Sequence, residues 1–121
     1  MNQTLIPDAH KTFNADVLME QVMGDVDLFN EVLRVFQADL PIHFNQIRQG
    51  ISTRETGLAY RAAHSLKGAA RNVGASELAE LAGEVEQRLQ DELLDEQTAT
   101  LIDATERAIG RLYLQLESLN L

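Results

Sequence analysis

His64 carries the side chain in this sequence that is best suited to chemistry. An exposed imidazole with a pKa near its ordinary value of about 6.5 is largely neutral at physiological pH and can act as a nucleophile. His64 lies in a helical pattern that runs from Arg54 to Val73, and an apolar stripe marks the opposite side of that helix. The stripe consists of Leu58, Ala62, Leu66, Ala69 and Val73. We therefore expect His64 to face solvent in the middle of a helix.

Three residues share the face of His64 at helical spacing, namely Lys67, Gly68 and Arg71, and Arg61 lies beside them. A lysine one turn on can donate to phosphoryl oxygens and offset their charge. A glycine in a helix interior costs about 1 kcal/mol relative to alanine, so Gly68 indicates that something large, such as a partner's active-site surface, comes close. Arg61 and Arg71 are candidates for electrostatic support. The sequence shows no catalytic partner for the histidine and no phosphate-binding glycine loop.

The first half of the chain reads as helical, and alternating strand patterns are missing. A short helix is predicted to begin after Asn14. A long helix begins at Asp25 or Asp27, and Pro41 is expected to kink or split it because proline removes a backbone hydrogen bond. Gly50 is predicted to end this segment.

The second half continues the pattern. The stretch Ser52-Thr53-Arg54-Glu55 matches the capping box, so the helix of His64 is predicted to begin there and to end at Gly74. Ser76 is predicted to cap the next helix, and a last helix spans roughly Glu96 to Leu119. Four long amphipathic helices with short connections predict an all-α, antiparallel four-helix bundle.

The length and composition of the chain limit the number of domains and the classes of function. The 121 residues fit one domain, with residues 1–12 as a loose lead-in and residues 13–121 as the bundle. The net charge of −9 repels nucleic-acid phosphates and anionic membranes, so neither nucleic-acid binding nor direct membrane contact is expected. With no cysteine the chain forms no disulfide and no thiolate zinc site. A cytoplasmic setting is expected because no secretory signal or membrane-spanning run is found.

The remaining titratable residues suggest no second site. His10 and His43 are interpreted as structural or incidental, and the three histidines lack the spacing of a metal site. The acidic residues of the helix after Ser76 are predicted to form a solvated face rather than a catalytic carboxylate pair. They are Glu77, Glu80, Glu84 and Glu86.

The stretch from Ala63 to Gly74, AHSLKGAARNVG, resembles the signature of histidine-containing phosphotransfer (HPt) domains, H-x-L-K-G followed by a glycine at the end of the helix. The following ASEL and the later Val85-Glu86 are similar to the family's next helix. The resemblance implies a four-helix bundle with a short additional N-terminal helix. It also implies phosphorylation of His64, phosphoryl stabilisation by Lys67 and clearance for the docking partner at Gly68. Arg71 is not a fixed position of the family and is added from helix geometry alone.

The resemblance further implies a mechanism. His64 would accept a phosphoryl group from an aspartate of a response-regulator receiver domain and pass it to another receiver. The receiver would supply Mg²⁺, so this chain is expected to hold no cofactor or metal and to have no turnover of its own. Apolar residues near positions 29–40 and around His64 would meet the receiver. The family implies a monomer, either freestanding or as the C-terminal domain of a hybrid sensor kinase.

Two other classes of function stay open. The chain could be a helical interaction module that docks a receiver or another signalling protein without phosphorylation of His64. Removal of the imidazole would distinguish such a module from a phosphotransfer domain, because docking would survive the removal and phosphoryl transfer would not. The chain could also be an autonomous enzyme with His64 as general base, although the sequence shows no substrate pocket.

Overall fold

The computed structural model describes residues 9–119, and within this range it contains six helices and no strand. Two are short, α1 (Ala9–Thr12) and α2 (Ala15–Gln21). Four are long: α3 (Val26–Ser52), α4 (Thr56–Val73), α5 (Ser76–Gln90) and α6 (Glu96–Glu117). The long helices pack around one apolar core, which confirms the predicted all-α bundle. None of the helices in the described range is long and apolar enough to cross a membrane.

The start of the described chain is packed against the bundle. Helix α1 contacts α5 and α6, and Thr12 and Phe13 are buried. This part of the predicted lead-in is therefore helical and packed, while residues 1–8 lie outside the described residues. Helix α2 begins after Asn14 as predicted, and the Asn14 side chain accepts a hydrogen bond from the backbone N–H of Asp16 at 3.1 Å.

Helix α3 begins after Asp25, whose carboxylate accepts a hydrogen bond from the backbone N–H of Leu28 at 3.0 Å. The helix continues through Pro41, so the predicted split is wrong. Proline cannot donate to the carbonyl of Gln37 one turn earlier, but the hydroxyl of Tyr113 from α6 donates to that carbonyl at 2.8 Å. Burial raises the pKa of Tyr113 above its ordinary value, which keeps the donating proton in place.

Gly50 does not end α3, which runs on to Ser52. It is buried where α3 crosses α4. A Cβ atom at this position would lie 2.7 Å from the backbone nitrogen of Ala59 and 2.8 Å from its Cβ. Glycine is therefore needed here for the close approach of the two helices, which is a packing role rather than a terminating one.

The predicted capping box at residues 52–55 is also wrong. Ser52 is the last residue of α3, and α4 begins at Thr56 without a side-chain cap. The hydroxyl of Thr53 donates to the carbonyl of Gln49 at 2.9 Å, so it completes the end of α3. Arg54 then turns the chain with a φ of +59°.

Gly74 ends α4 in the left-handed conformation, with a φ of +86°, as predicted. Its carbonyl accepts a hydrogen bond from the backbone N–H of Asn14 at 2.9 Å, which ties the start of α2 to the end of α4. The predicted cap at Ser76 is wrong, because Ser76 is already the first residue of α5 and Ala75 precedes it as the cap position. The Ser76 hydroxyl donates instead to the carbonyl of Lys11 at 3.2 Å.

The buried face of α4 is wider than the predicted stripe and is made mostly of alanine. Small side chains allow α3 and α5 to pack closely on both flanks of α4, which leaves its remaining face to solvent. Leu58 and Ala69 are only half-buried. The buried residues of α4 are Ala59, Ala62, Ala63, Leu66, Ala70 and Val73.

Candidate functional site

His64 projects from the middle of α4 on the face turned away from the core, as predicted. Its side chain is 64% exposed. The imidazole lies nearly parallel to the ring of Tyr60 one turn earlier, with ring centroids 6.4 Å apart and an interplanar angle of 16°. The imidazole thus has an aromatic neighbour on its own helix.

A carboxylate from the neighbouring helix orients the imidazole. Glu86 of α5 is buried, and its Oε2 lies 2.6 Å from Nδ1 of His64. An ionised carboxylate only accepts hydrogen bonds, so Nδ1 is the protonated nitrogen and donates. This assigns the lone pair of the neutral ring to Nε2. The prediction that Glu86 belongs to a solvated face is wrong, and His64 does have a partner.

The sequence contained a signal for this contact. Glu86 follows Ala82 by four residues and precedes Leu89 by three, and both of these residues are buried on the core side of α5. A carboxylate on the apolar stripe of an amphipathic helix is expected only where it has a polar partner. The partner could not be named from α5 alone.

Lys67 binds the same carboxylate. Its Nζ forms an ion pair with Oε1 of Glu86, the oxygen that is not used by His64. The aliphatic stem of Lys67 passes close to Gly83 of α5, where an added Cβ would lie 3.3 Å from Cδ of the lysine. Lys67 is therefore mostly buried and is held within one turn of His64, with further N–H donors on its ammonium group.

The environment keeps Glu86 ionised. Burial by itself raises the pKa of this carboxyl group, but hydrogen bonds from Lys67 and His64 and the attraction of their charges outweigh it. The net result is a pKa below the ordinary value for glutamate. The site therefore combines an exposed imidazole with a buried carboxylate that remains negative at neutral pH.

Gly68 follows on the exposed face. Among residues 9–119, a Cβ atom built at this position meets no atom within 4 Å apart from its own stretch of helix. The fold itself therefore does not require glycine here, unlike at Gly50. An open helical position that nevertheless carries glycine is what a close approach from outside would demand.

The structure separates the two candidate arginines. Arg61 lines a shallow depression of about 320 Å³ together with Tyr60, His64 and Ser65. Arg71 lies two turns beyond His64 and lines a different cleft, between α2, α4 and α5. Both are exposed, and neither forms an ion pair within residues 9–119. Their roles stay predictions, with Arg61 the better placed.

An apolar stripe runs along the outer face of α3. Leu28, Val35 and Ile42 are seven residues apart, and each is about half exposed. By contrast, the apolar residues that gave the predicted docking region its pattern, Phe29, Leu33, Phe36 and Leu40, are buried. We call the exposed residues Leu28, Val35 and Ile42 the α3 stripe.

The position of the α3 stripe along the axes of α3 and α4 follows from the close approach of Gly50 and Ala59. Because α3 and α4 are consecutive helices joined by a short turn, they run antiparallel. Ile42, eight positions before Gly50, is therefore level with Lys67, eight positions after Ala59. Along the helix axes, the stripe begins at the level of the site and extends away from it.

A family model for the Hpt domain matches residues 31–118, which include α4, α5 and α6 and most of α3. The chain belongs to the HPt domain family. It also resembles the crystal structure of the HPt domain from an Hpt sensor hybrid histidine kinase from Shewanella, with a TM-score of 0.69 and 21% sequence identity. The match covers 90% of this chain and 97% of the Shewanella chain, and it shows a common fold. No curated protein sequence matches the chain.

As an HPt domain, the chain has a phosphotransfer role in a phosphorelay. HPt domains are phosphotransfer intermediates, and they work with receiver domains. The resemblance drawn from residues 63–74 is thereby confirmed at the level of the family.

Proposed function

We propose that His64 is the phosphoryl carrier of this HPt domain, accepting the group from a receiver aspartate and passing it to another receiver. The observation that carries the proposal is the pair formed by His64 and Glu86. It presents an exposed imidazole whose Nδ1 is held at 2.6 Å by a carboxylate, so that Nε2 is the nucleophile. An oriented nucleophile with its lone pair towards solvent is what reaction on a partner's surface requires.

The proposed step is an in-line displacement. Nε2 of His64 attacks the phosphorus of an aspartyl phosphate, and the aspartate leaves as a carboxylate. Mg²⁺ held by the receiver supplies most of the charge stabilisation. Lys67, held beside the ring by Glu86, adds N–H donors for the phosphoryl oxygens. Gly68 leaves room for the receiver, and Arg61 contributes positive charge from the neighbouring depression, with Arg71 as a more distant contributor.

The first test is transfer of labelled phosphate from a phosphorylated receiver domain to the wild type and to His64→Gln. We expect the wild type to gain an acid-labile, base-stable label and His64→Gln to gain none. His10→Gln, which removes another exposed imidazole, serves as the control and should be labelled like the wild type.

An interaction module that docks a receiver without phosphorylation is the competing interpretation. It predicts that neither the wild type nor His64→Gln is labelled by a phosphorylated receiver, although both bind it with equal affinity. That combination would refute the phosphoryl-carrier role of His64.

The α3 stripe is proposed as the apolar part of the receiver-docking surface. Replacing Ile42 with glutamate is expected to weaken receiver binding about tenfold or more, because burying such a side chain contributes roughly 1.5–3 kcal/mol. Leu114→Glu on α6 is the matched control, since Leu114 is 69% exposed and is not part of the stripe. Isothermal titration calorimetry with a receiver measures the binding affinity of both variants. Equal losses in the two variants would show that the stripe is not the docking surface.

The proposal extends to the setting of the domain. We place it in the cytoplasm as a monomeric relay intermediate without turnover of its own, with no cofactor beyond the receiver's Mg²⁺. It would act either as a freestanding protein or as the cytoplasmic C-terminal end of a membrane-bound hybrid sensor kinase. The similar Shewanella domain, which comes from a hybrid histidine kinase, supports the second arrangement.

A further inference from the structure

The carboxylate of Glu86 contacts the one atom of His64 whose protonation decides how well the ring releases a phosphoryl group. We infer that Glu86 keeps the phosphoryl group on His64 short-lived and easily transferred by holding a proton on Nδ1 of the phosphorylated ring. This inference rests on the proposed role of His64. It makes Glu86 a positioning residue that acts through the imidazole without touching the phosphoryl group.

The proton balance of the cycle supports this role. When Nε2 forms its bond to phosphorus, the bond between phosphorus and the aspartate oxygen breaks and its electron pair leaves with the aspartate. The ring already carries a proton on Nδ1, so it becomes a phosphorylated imidazolium. In the onward step a second aspartate oxygen attacks phosphorus, and the pair of the P–N bond returns to Nε2. The ring is then neutral again with the same proton on Nδ1, so no proton has to enter or leave.

The protonation of Nδ1 decides the quality of the leaving group. A phosphorylated imidazolium departs as neutral imidazole, whereas a ring without the Nδ1 proton would have to depart as an imidazolide anion. An exposed imidazolium ordinarily loses its proton near pH 6.5, below the pH of the cytoplasm. A hydrogen-bonded carboxylate favours the charged form of the ring. Glu86, at 2.6 Å from Nδ1, is placed to retain the proton at neutral pH.

The other groups that face His64 do not replace Glu86. On α4 these are the neutral phenol of Tyr60, the ammonium of Lys67 and the guanidinium of Arg61. The two cations oppose a positive ring, although the charge of Lys67 is offset by its ion pair with Glu86. From α5, Glu86 contributes the negative charge at Nδ1. Because its carboxylate is buried and held from both sides, it cannot swing into water when the ring is modified.

The test compares the lifetime of the phosphoryl group on the wild type and on Glu86→Gln between pH 5 and pH 9. Phosphoramidate loads both proteins without a receiver, and intact-protein mass spectrometry follows the decay. Glutamine is isosteric and its amide can donate to an unprotonated Nδ1, so it favours the neutral ring. We expect a half-life about tenfold longer for Glu86→Gln at pH 8, because fewer of its phosphorylated rings would keep the proton on Nδ1. The two proteins should converge near pH 5, where both rings are protonated.

A second pair of variants removes an ambiguity, because Glu86→Gln also releases Lys67, which could itself stabilise the phosphoryl group. The comparison is therefore repeated between Lys67→Met and the double variant Lys67→Met/Glu86→Gln. Persistence of the longer half-life and of its pH dependence supports action through Nδ1. If the longer half-life caused by Glu86→Gln disappears when Lys67 is absent, the inference is overturned.

Glu84→Gln is the matched control, since Glu84 is an exposed carboxylate on the same helix, and it should decay like the wild type. Equal half-lives of the wild type and Glu86→Gln at every pH would overturn the inference while leaving His64 as the carrier. Failure of the wild type to be loaded at His64, located by peptide mapping, would instead count against the proposed function itself.

Discussion

Replacing Gly68 with leucine is expected to slow phosphoryl transfer from a receiver about a hundredfold or more while leaving the protein at least as stable as the wild type. Within residues 9–119, the Cβ atom of the added side chain meets nothing within 4 Å outside its own stretch of helix, and leucine is favoured over glycine in a helix by up to about 1 kcal/mol. The same side chain would stand between the receiver and His64 one turn away. A displacement of about 1 Å in a reacting pair is enough to cost roughly a hundredfold in rate.

The measurement pairs thermal unfolding with single-turnover transfer kinetics. Gly110→Leu is the matched control, because Gly110 is another glycine inside a long helix, and its added Cβ meets no atom of the described residues within 4 Å outside its own stretch of helix. It should gain stability like Gly68→Leu and keep the transfer rate of the wild type. If Gly68→Leu transfers as fast as Gly110→Leu, Gly68 is not the point of closest approach.

Replacing Gly50 with alanine is expected to lower the free energy of unfolding by about 1 kcal/mol, although a single methyl group is added. The new Cβ would lie within 3 Å of two backbone atoms, the nitrogen of Ala59 and the carbonyl oxygen of Glu55. Backbone atoms inside helices cannot move aside individually, so α3 and α4 must separate. Overpacking of this kind costs typically 1–3 kcal/mol, which exceeds the gain of at most about 1 kcal/mol from removing a helical glycine.

Urea unfolding followed by circular dichroism measures the effect, with Gly110→Ala as the control that should be stabilised by up to about 1 kcal/mol. The two identical substitutions are thus expected to differ in sign. An increase in the stability of Gly50→Ala would mean that the two helices have more room than the structure indicates.

The fold could be predicted from the sequence because each long helix carries its own apolar periodicity. The exposure of His64 followed from the same pattern on α4. The wrong predictions fell where a local pattern fits two roles or where a distant residue changes its effect. Ser52 has the residue type of a helix-starting cap, yet it is the last residue of the preceding helix. Pro41 reads as a helix breaker until Tyr113, far along the chain, supplies the missing donor.

The candidate site was predictable only in the part that lies on one helix. His64, Lys67 and Gly68 share a face of α4, so their spacing brings them together. Glu86 reaches the site from α5, and its contact with His64 depends on the relative register of two helices. That register is set by side-chain packing along the whole interface and cannot be obtained from either helix alone.

The hydrogen bond from Tyr113 to the carbonyl of Gln37 also makes the substitutions that are tolerated at positions 41 and 113 depend on each other. With proline at position 41, the hydroxyl of Tyr113 is the donor that replaces a main-chain group. With any other residue at position 41, the main chain would supply its own donor and the hydroxyl would be dispensable. In descendants of this chain, the hydroxyl of Tyr113 should therefore be lost only where Pro41 has been replaced as well. The two positions would vary as a pair although they are 72 positions apart in the chain.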